Sequence, residues 1–93
     1  MTSIKRVSLI GAGVIGAGWA ARCLSRGIEV QVLDPAAAAE PRLREIVDLA
    51  WPSLTALGLA EGPVPASKVR FCESLASCLS GSDFVQENAP ERE

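Results

Sequence analysis

The sequence contains no histidine, the commonest general acid or base of enzyme sites, so imidazole-mediated proton transfer has no source within it. Cysteine is scarce and odd in number: Cys23, Cys72 and Cys78 lack metal-type spacing and form no even disulfide framework. They read as free packing thiols of a reducing compartment, which predicts a cytoplasmic protein. Basic charge is equally thin. A net charge of −2 with scattered lysines and arginines gives neither a nucleic-acid footprint nor an anionic-membrane patch.

A long uninterrupted apolar segment is also missing. Lys5 and Arg6 precede an uncharged run from Val7 to Ala21, which superficially resembles a secretory signal. That run falls short of the ~20 apolar residues a span requires. It also carries Gly11, Gly13, Gly16 and Gly18, each costing roughly 1 kcal/mol in a helix interior. A secreted or membrane-inserted peptide is thus the weakest of three readings, and an intact-mass measurement of the N-terminus tests it. What remains, 48% hydrophobic and 22% charged over 93 residues, is the profile of one small globular domain.

Hydrophobic patterning divides this chain into alternating strands and helices. Arg6 to Ile10 reads as a short buried strand, ending at a glycine loop over residues 11–16. Val14 to Arg26 suits a helix, with Ile15, Trp19 and Cys23 stacked on one face and Gly27 as its stop. Ile28 to Leu33 alternates as a second strand, closed by Asp34-Pro35.

A second helix is expected from Pro41, with Leu43, Ile46, Val47, Ala50, Leu54 and Leu57 recurring at three- and four-residue steps. Pro52 should kink or split it. A loop over residues 58–68 follows, then a short strand from Val69 to Cys72, a brief helix from Ser74 to Ser80 and a fourth strand from Asp83 to Glu87. Glu91 to Glu93 reads as the start of another helix. Trp19 and Trp51 are expected to pack, and Arg42, Arg44, Glu45 and Asp48 to form a solvated helix face. Glu87 suits a ligand site and a solvent-facing carboxylate equally well. Alternation of this kind implies a parallel sheet, because parallel neighbours need crossover connections.

Gly11-Ala12-Gly13-Val14-Ile15-Gly16 fits the pattern G-x-G-x-x-G. In such a loop the first glycine makes the tight turn, the second admits a pyrophosphate close to the backbone, and the third lets helix and strand pack closely. The free N–H groups and positive end of the helix then bind the diphosphate. Six residues alone are a weak signal, but these lie between a predicted strand and a predicted helix. Asp34 ends the next strand, roughly 20 residues on, where a ribose-binding carboxylate belongs. A carboxylate accepts hydrogen bonds from ribose hydroxyls and repels a 2′-phosphate. No arginine follows before Arg42. NAD is therefore expected over NADP, with FAD as the competing ligand, because flavin domains open with a similar unit.

These residues resemble the N-terminal NAD-binding domain of the 3-hydroxyacyl-CoA dehydrogenase family, and in detail its carnitine-oxidising branch. The resemblance rests on residues 11–21, on Asp34-Pro35, on Ala50-Trp51-Pro52 and on residues 85–93 (Val-Gln-Glu-Asn-Ala-Pro-Glu-Arg-Glu). The closing run is the most specific part. Lambda-crystallin-like gulonate dehydrogenases share much of the pattern. The resemblance implies reversible oxidation of a 3-hydroxy group by NAD, with a carnitine- or hydroxyacyl-type small molecule as substrate. It also implies that Glu91 lies near the cofactor, and that the full-length protein is a homodimer.

The expected architecture is α/β: a partial Rossmann domain over residues 1–93, with a doubly wound parallel sheet in order 3-2-1-4 and helices on both faces. The expected cofactor contacts are Gly11, Ala12, Gly13, Val14, Ile15, Gly16, Asp34 and Glu91. No catalytic and no metal-ligating residue is assigned. The family's catalytic histidine, its glutamate partner and its helical substrate and dimerisation domain are expected beyond these residues. The chain alone is then inactive and marginally stable or associating. A free-standing, non-catalytic NAD-binding module is the remaining alternative.

Overall fold

The computed structural model describes residues 4–87. Four strands, β1 (Arg6–Ile10), β2 (Glu29–Leu33), β3 (Val69–Phe71) and β4 (Phe84–Glu87), alternate with α1 (Gly13–Ser25), α2 (Ala39–Ala56) and α3 (Leu75–Leu79). A single 3-10 turn, Ala66–Lys68, leads into β3. The sheet is entirely parallel in the order β3-β2-β1-β4, as expected. The run from Val7 to Ala21 is divided between β1 and α1 rather than forming one helix, and among the described residues no helix is long and apolar enough to cross a membrane.

Strand alternation sorts the side chains onto two faces. Val7 and Leu9 of β1, Val30 and Val32 of β2 and Val69 of β3 join α1 and α2 in one core. The intervening Ser8 and Gln31 are buried on the opposite face, against α3. The Ser8 hydroxyl bonds the Cys78 carbonyl and the Ser82 hydroxyl, and Gln31 donates to the Ser80 carbonyl at 3.1 Å. Arg70 donates to the other end of the Gln31 amide. A buried polar group needs such partners, so α3 is held by a polar network while α1 and α2 are held by apolar packing.

The face that α1 turns to the sheet is built from small residues. Gly16, Ala17, Ala20 and Ala21 are buried with Cys23 and Leu24, whereas Ile15 and Trp19 remain 71% and 41% exposed. The expected stripe of Ile15, Trp19 and Cys23 is thus correct only at Cys23. At its end, Ile28 donates to the Cys23 carbonyl and Gly27 to that of Leu24, with Gly27 at φ 78°. This is a Schellman stop.

Helix α2 begins two residues before Pro41 and runs unsplit through Pro52. Its buried side is Leu43, Val47 and Trp51, while Leu57, at the C-cap, is exposed. The Trp51 indole donates to the Gly62 carbonyl at 2.9 Å, fixing the following loop. Arg44 departs from the expected solvated face. Its guanidinium reaches the carbonyls of Ala66 and Val69 at 3.2 and 3.1 Å and pairs with Glu40.

Candidate nucleotide site

The C-terminal ends of β1 and β2 lie side by side, with Ile10 opposite Leu33. Gly11, at φ 96°, carries the pairing one step further by donating to the Leu33 carbonyl at 2.8 Å. The chain then turns through Ala12 into Gly13, at φ 47°, where α1 starts. A Cβ added at Gly13 would meet nothing within 4 Å, so that approach is open. Gly16 is buried on the sheet side, in keeping with close helix–strand packing.

α1 starts without a capping side chain and with no acidic residue in its first turn. The first N–H groups of a helix have no intrahelical acceptor, and here Gly13, Val14 and Ile15 are exposed. Together with the helix dipole they present partial positive charge to an anion.

Asp34 follows β2 directly and is half-buried beside this loop. Its Oδ2 accepts the Ala12 N–H at 2.7 Å, and its Oδ1 accepts that of Ala36 at 2.9 Å. An ionised carboxylate has about four acceptor positions, so capacity remains for hydroxyl donors. Spacing along the chain located Asp34, but nothing in the sequence pattern signals its bond to Ala12. Glu87 lies opposite Ile10 at the same end of the sheet and is exposed. Glu91 and the helix start expected at residues 91–93 lie outside the described residues.

The cysteines take no part in this site. All three are buried and free. Burial pushes the Cys78 thiol up to about 12, with the adjacent Cys72 thiol adding to the effect, and burial likewise raises Cys23 against the lowering influence of Arg22. With their pKa raised, Cys23 and Cys78 stay protonated and are poor nucleophiles. No group of candidate metal ligands occurs among the described residues. A shallow apolar crevice, lined by Leu24, Leu43, Val47 and Val69 among others, sits at the far end of α1 from the glycine loop.

An uncapped helix start, open space over Gly13 and a carboxylate at the tip of β2 fit a dinucleotide's diphosphate and adenosine ribose. Comparison with known proteins agrees. Residues 6–93 match the model of the 3-hydroxyacyl-CoA dehydrogenase NAD binding domain, which decides for NAD over the flavin alternative. L-carnitine dehydrogenase of Streptomyces coelicolor is 50% identical over 90 residues, covering 97% of this chain and 28% of that protein. The Burkholderia mallei L-carnitine dehydrogenase is 50% identical over 93 residues, covering 100% of this chain and 29% of its own length.

Among solved structures, an NAD-dependent 5-formyl-3-hydroxy-2-methylpyridine 4-carboxylic acid 5-dehydrogenase superimposes with a TM-score of 0.78 at 38% identity, covering 97% of this chain and 29% of that one. The (S)-3-hydroxybutyryl-CoA dehydrogenase of Ralstonia eutropha gives 0.77 at 26% identity, covering 98% and 33%. The chain therefore spans less than a third of the length of the curated relatives it matches. It belongs to the 3-hydroxyacyl-CoA dehydrogenase family, as that family's NAD-binding domain.

Proposed function

We propose that this chain is the cofactor-binding part of an L-carnitine dehydrogenase, which oxidises the 3-hydroxy group of L-carnitine to 3-dehydrocarnitine. The observation that carries the reading is graded similarity. Identity is 50% to L-carnitine dehydrogenases along nearly the whole chain, but 26% to a 3-hydroxybutyryl-CoA dehydrogenase of nearly the same local fold.

NAD, when bound, supplies the hydride acceptor, and the residues here bind and orient it. The exposed amides of Gly13, Val14 and Ile15 hold the diphosphate at the positive end of α1. Gly11 and Ala12 shape the turn, and Gly16 sets the helix close to the sheet. Asp34 accepts the adenosine ribose hydroxyls with its remaining acceptor capacity, and its negative charge disfavours a 2′-phosphate. Glu91 is a further proposed cofactor contact, on the family resemblance alone. The base that takes the substrate's hydroxyl proton is supplied from outside this histidine-free chain, as are the substrate pocket and the homodimer contacts. Three buried free thiols suit the reducing cytoplasm.

NADH formation by the intact protein, compared between L-carnitine and 3-hydroxybutyryl-CoA, tests the assignment. L-carnitine should give the larger kcat/KM. A larger value for the acyl-CoA would overturn it in favour of the family's other chemistry.

A further inference from the structure

Ala12 is 2% exposed, so its backbone N–H is removed from water and needs an acceptor within the protein. Asp34 Oδ2 provides one at 2.7 Å, across 22 residues of sequence. The second oxygen holds Ala36 at 2.9 Å. One carboxylate therefore ties the glycine turn to the segment leaving β2, through hydrogen bonds of the stronger, charge-assisted kind. The residue after Ala12 is Gly13, at φ 47°, where α1 opens with no capping side chain. Where the Ala12 peptide is pinned fixes where the next three amides aim.

We infer that Asp34 is a positioning residue for the diphosphate loop as well as a ribose ligand. By holding the Ala12 N–H it sets the amides of Gly13, Val14 and Ile15 in their binding arrangement before NAD arrives. The inference rests on the reading that Asp34 also meets the adenosine ribose. It carries a consequence for cofactor choice. Replacing Asp34 to admit NADP also loosens the loop that both cofactors need, so the relief of 2′-phosphate repulsion is offset by a loss that NAD and NADP share.

A cycle pairing a protein change with a ligand change separates the two roles. Wild type and Asp34→Ala are each titrated with NAD and with an NAD analogue lacking both hydroxyls of the adenosine ribose. If Asp34 braces the loop, the variant binds the analogue about fivefold or more weakly than wild type does, the loss expected for one partly buried hydrogen bond. If it only grips hydroxyls, the variant binds the analogue as well as wild type or more tightly, since a negative charge beside the diphosphate has gone. That result would overturn the inference.

Wild type binding NAD and the analogue equally would refute the ribose contact instead, and it leaves the comparison of proteins on the analogue intact. Asp34→Asn keeps one acceptor oxygen and recovers part of the analogue affinity; no recovery counts against the brace. Where the alanine variant does not fold, hydrogen exchange at the Ala12 amide of the asparagine variant decides. Protection as in wild type supports the bond, whereas free exchange in wild type contradicts it. A purely architectural role for Asp34 would shift melting temperature and leave the folded protein's affinity for the analogue unchanged.

Discussion

Two aspartates at opposite ends of the sheet do related work with different physics. Asp34 accepts the Ala12 and Ala36 amides at the C-terminal ends of the strands. Asp83 accepts the Lys5 and Arg6 amides with Oδ2, at 2.9 and 3.1 Å, where β1 begins. The Asp83 carboxyl lies below its ordinary range, chiefly because those two backbone N–H groups stabilise its charged form, with Arg6 and Lys5 adding smaller attractions. A carboxylate whose pKa is lower folded than unfolded contributes stability above its unfolded pKa, and that contribution is lost as pH falls through the folded value. Acid titration of the denaturant midpoint below about pH 4 should fall more steeply for the native protein than for Asp83→Asn. Parallel curves would show that the two amide bonds carry no net stability. Asp34 was legible from its position after a strand and a glycine loop, whereas Asp83 was not. Its role depends on the carboxylate just before β4 meeting the first amides of β1, a side-chain bond that the expected strand order does not specify.

At the scale of the element, α1 shows why periodicity picks out a helix more easily than the face it buries. Ile15, Trp19 and Cys23 are the larger apolar residues at i, i+4 spacing, yet Gly16, Ala17, Ala20 and Ala21 are the ones against the sheet. Close approach of a helix to a parallel sheet selects small volume over large apolar area, and a glycine loop requires that approach. In α2, which packs chiefly against α1, the larger residues Leu43, Val47 and Trp51 do face inward.

Pro52 was expected to break α2. It is tolerated on the exposed side, though it forfeits one main-chain hydrogen bond to the preceding turn. Pro52→Ala should restore that bond and a better helix former. The gain is reduced by the extra freedom that alanine gives the unfolded chain. A net stabilisation of about 1–2 kcal/mol is expected, read as a higher denaturation midpoint; a lower midpoint would mean that the proline ring packs favourably where it stands. Arg44 eluded the pattern for the opposite reason. Charged and placed among other charges on the helix, it reads as solvated, and only the return of the chain through Ala66 and Val69 gives it carbonyl partners.

For the molecule as a whole, topology was the most legible property. Strand–helix alternation forces parallel pairing, and right-handed crossovers then leave few orders for four strands. β1 and β2 both end at the glycine loop because they are adjacent and in register, which is what places Asp34 beside the start of α1. The way the site is tied together was less legible, since a hydrogen bond from a loop amide to a carboxylate leaves no periodic trace. The two faces of the sheet also differ in a way the pattern only hints at. Val7 and Leu9 meet α1 and α2 through apolar contact, while Ser8 and Gln31 meet α3 through polar bonds.

Backbone donors at the start of α1 and one carboxylate at the end of β2 must act on the same molecule of NAD. A crystal structure of the protein with NAD tests this most directly. The expected result is diphosphate oxygens within hydrogen-bonding distance of the amides of Gly13 to Ile15, and the adenosine ribose hydroxyls on Asp34 with its bond to Ala12 retained. A diphosphate seated elsewhere, or an Asp34 carboxylate turned from the ribose, would contradict it.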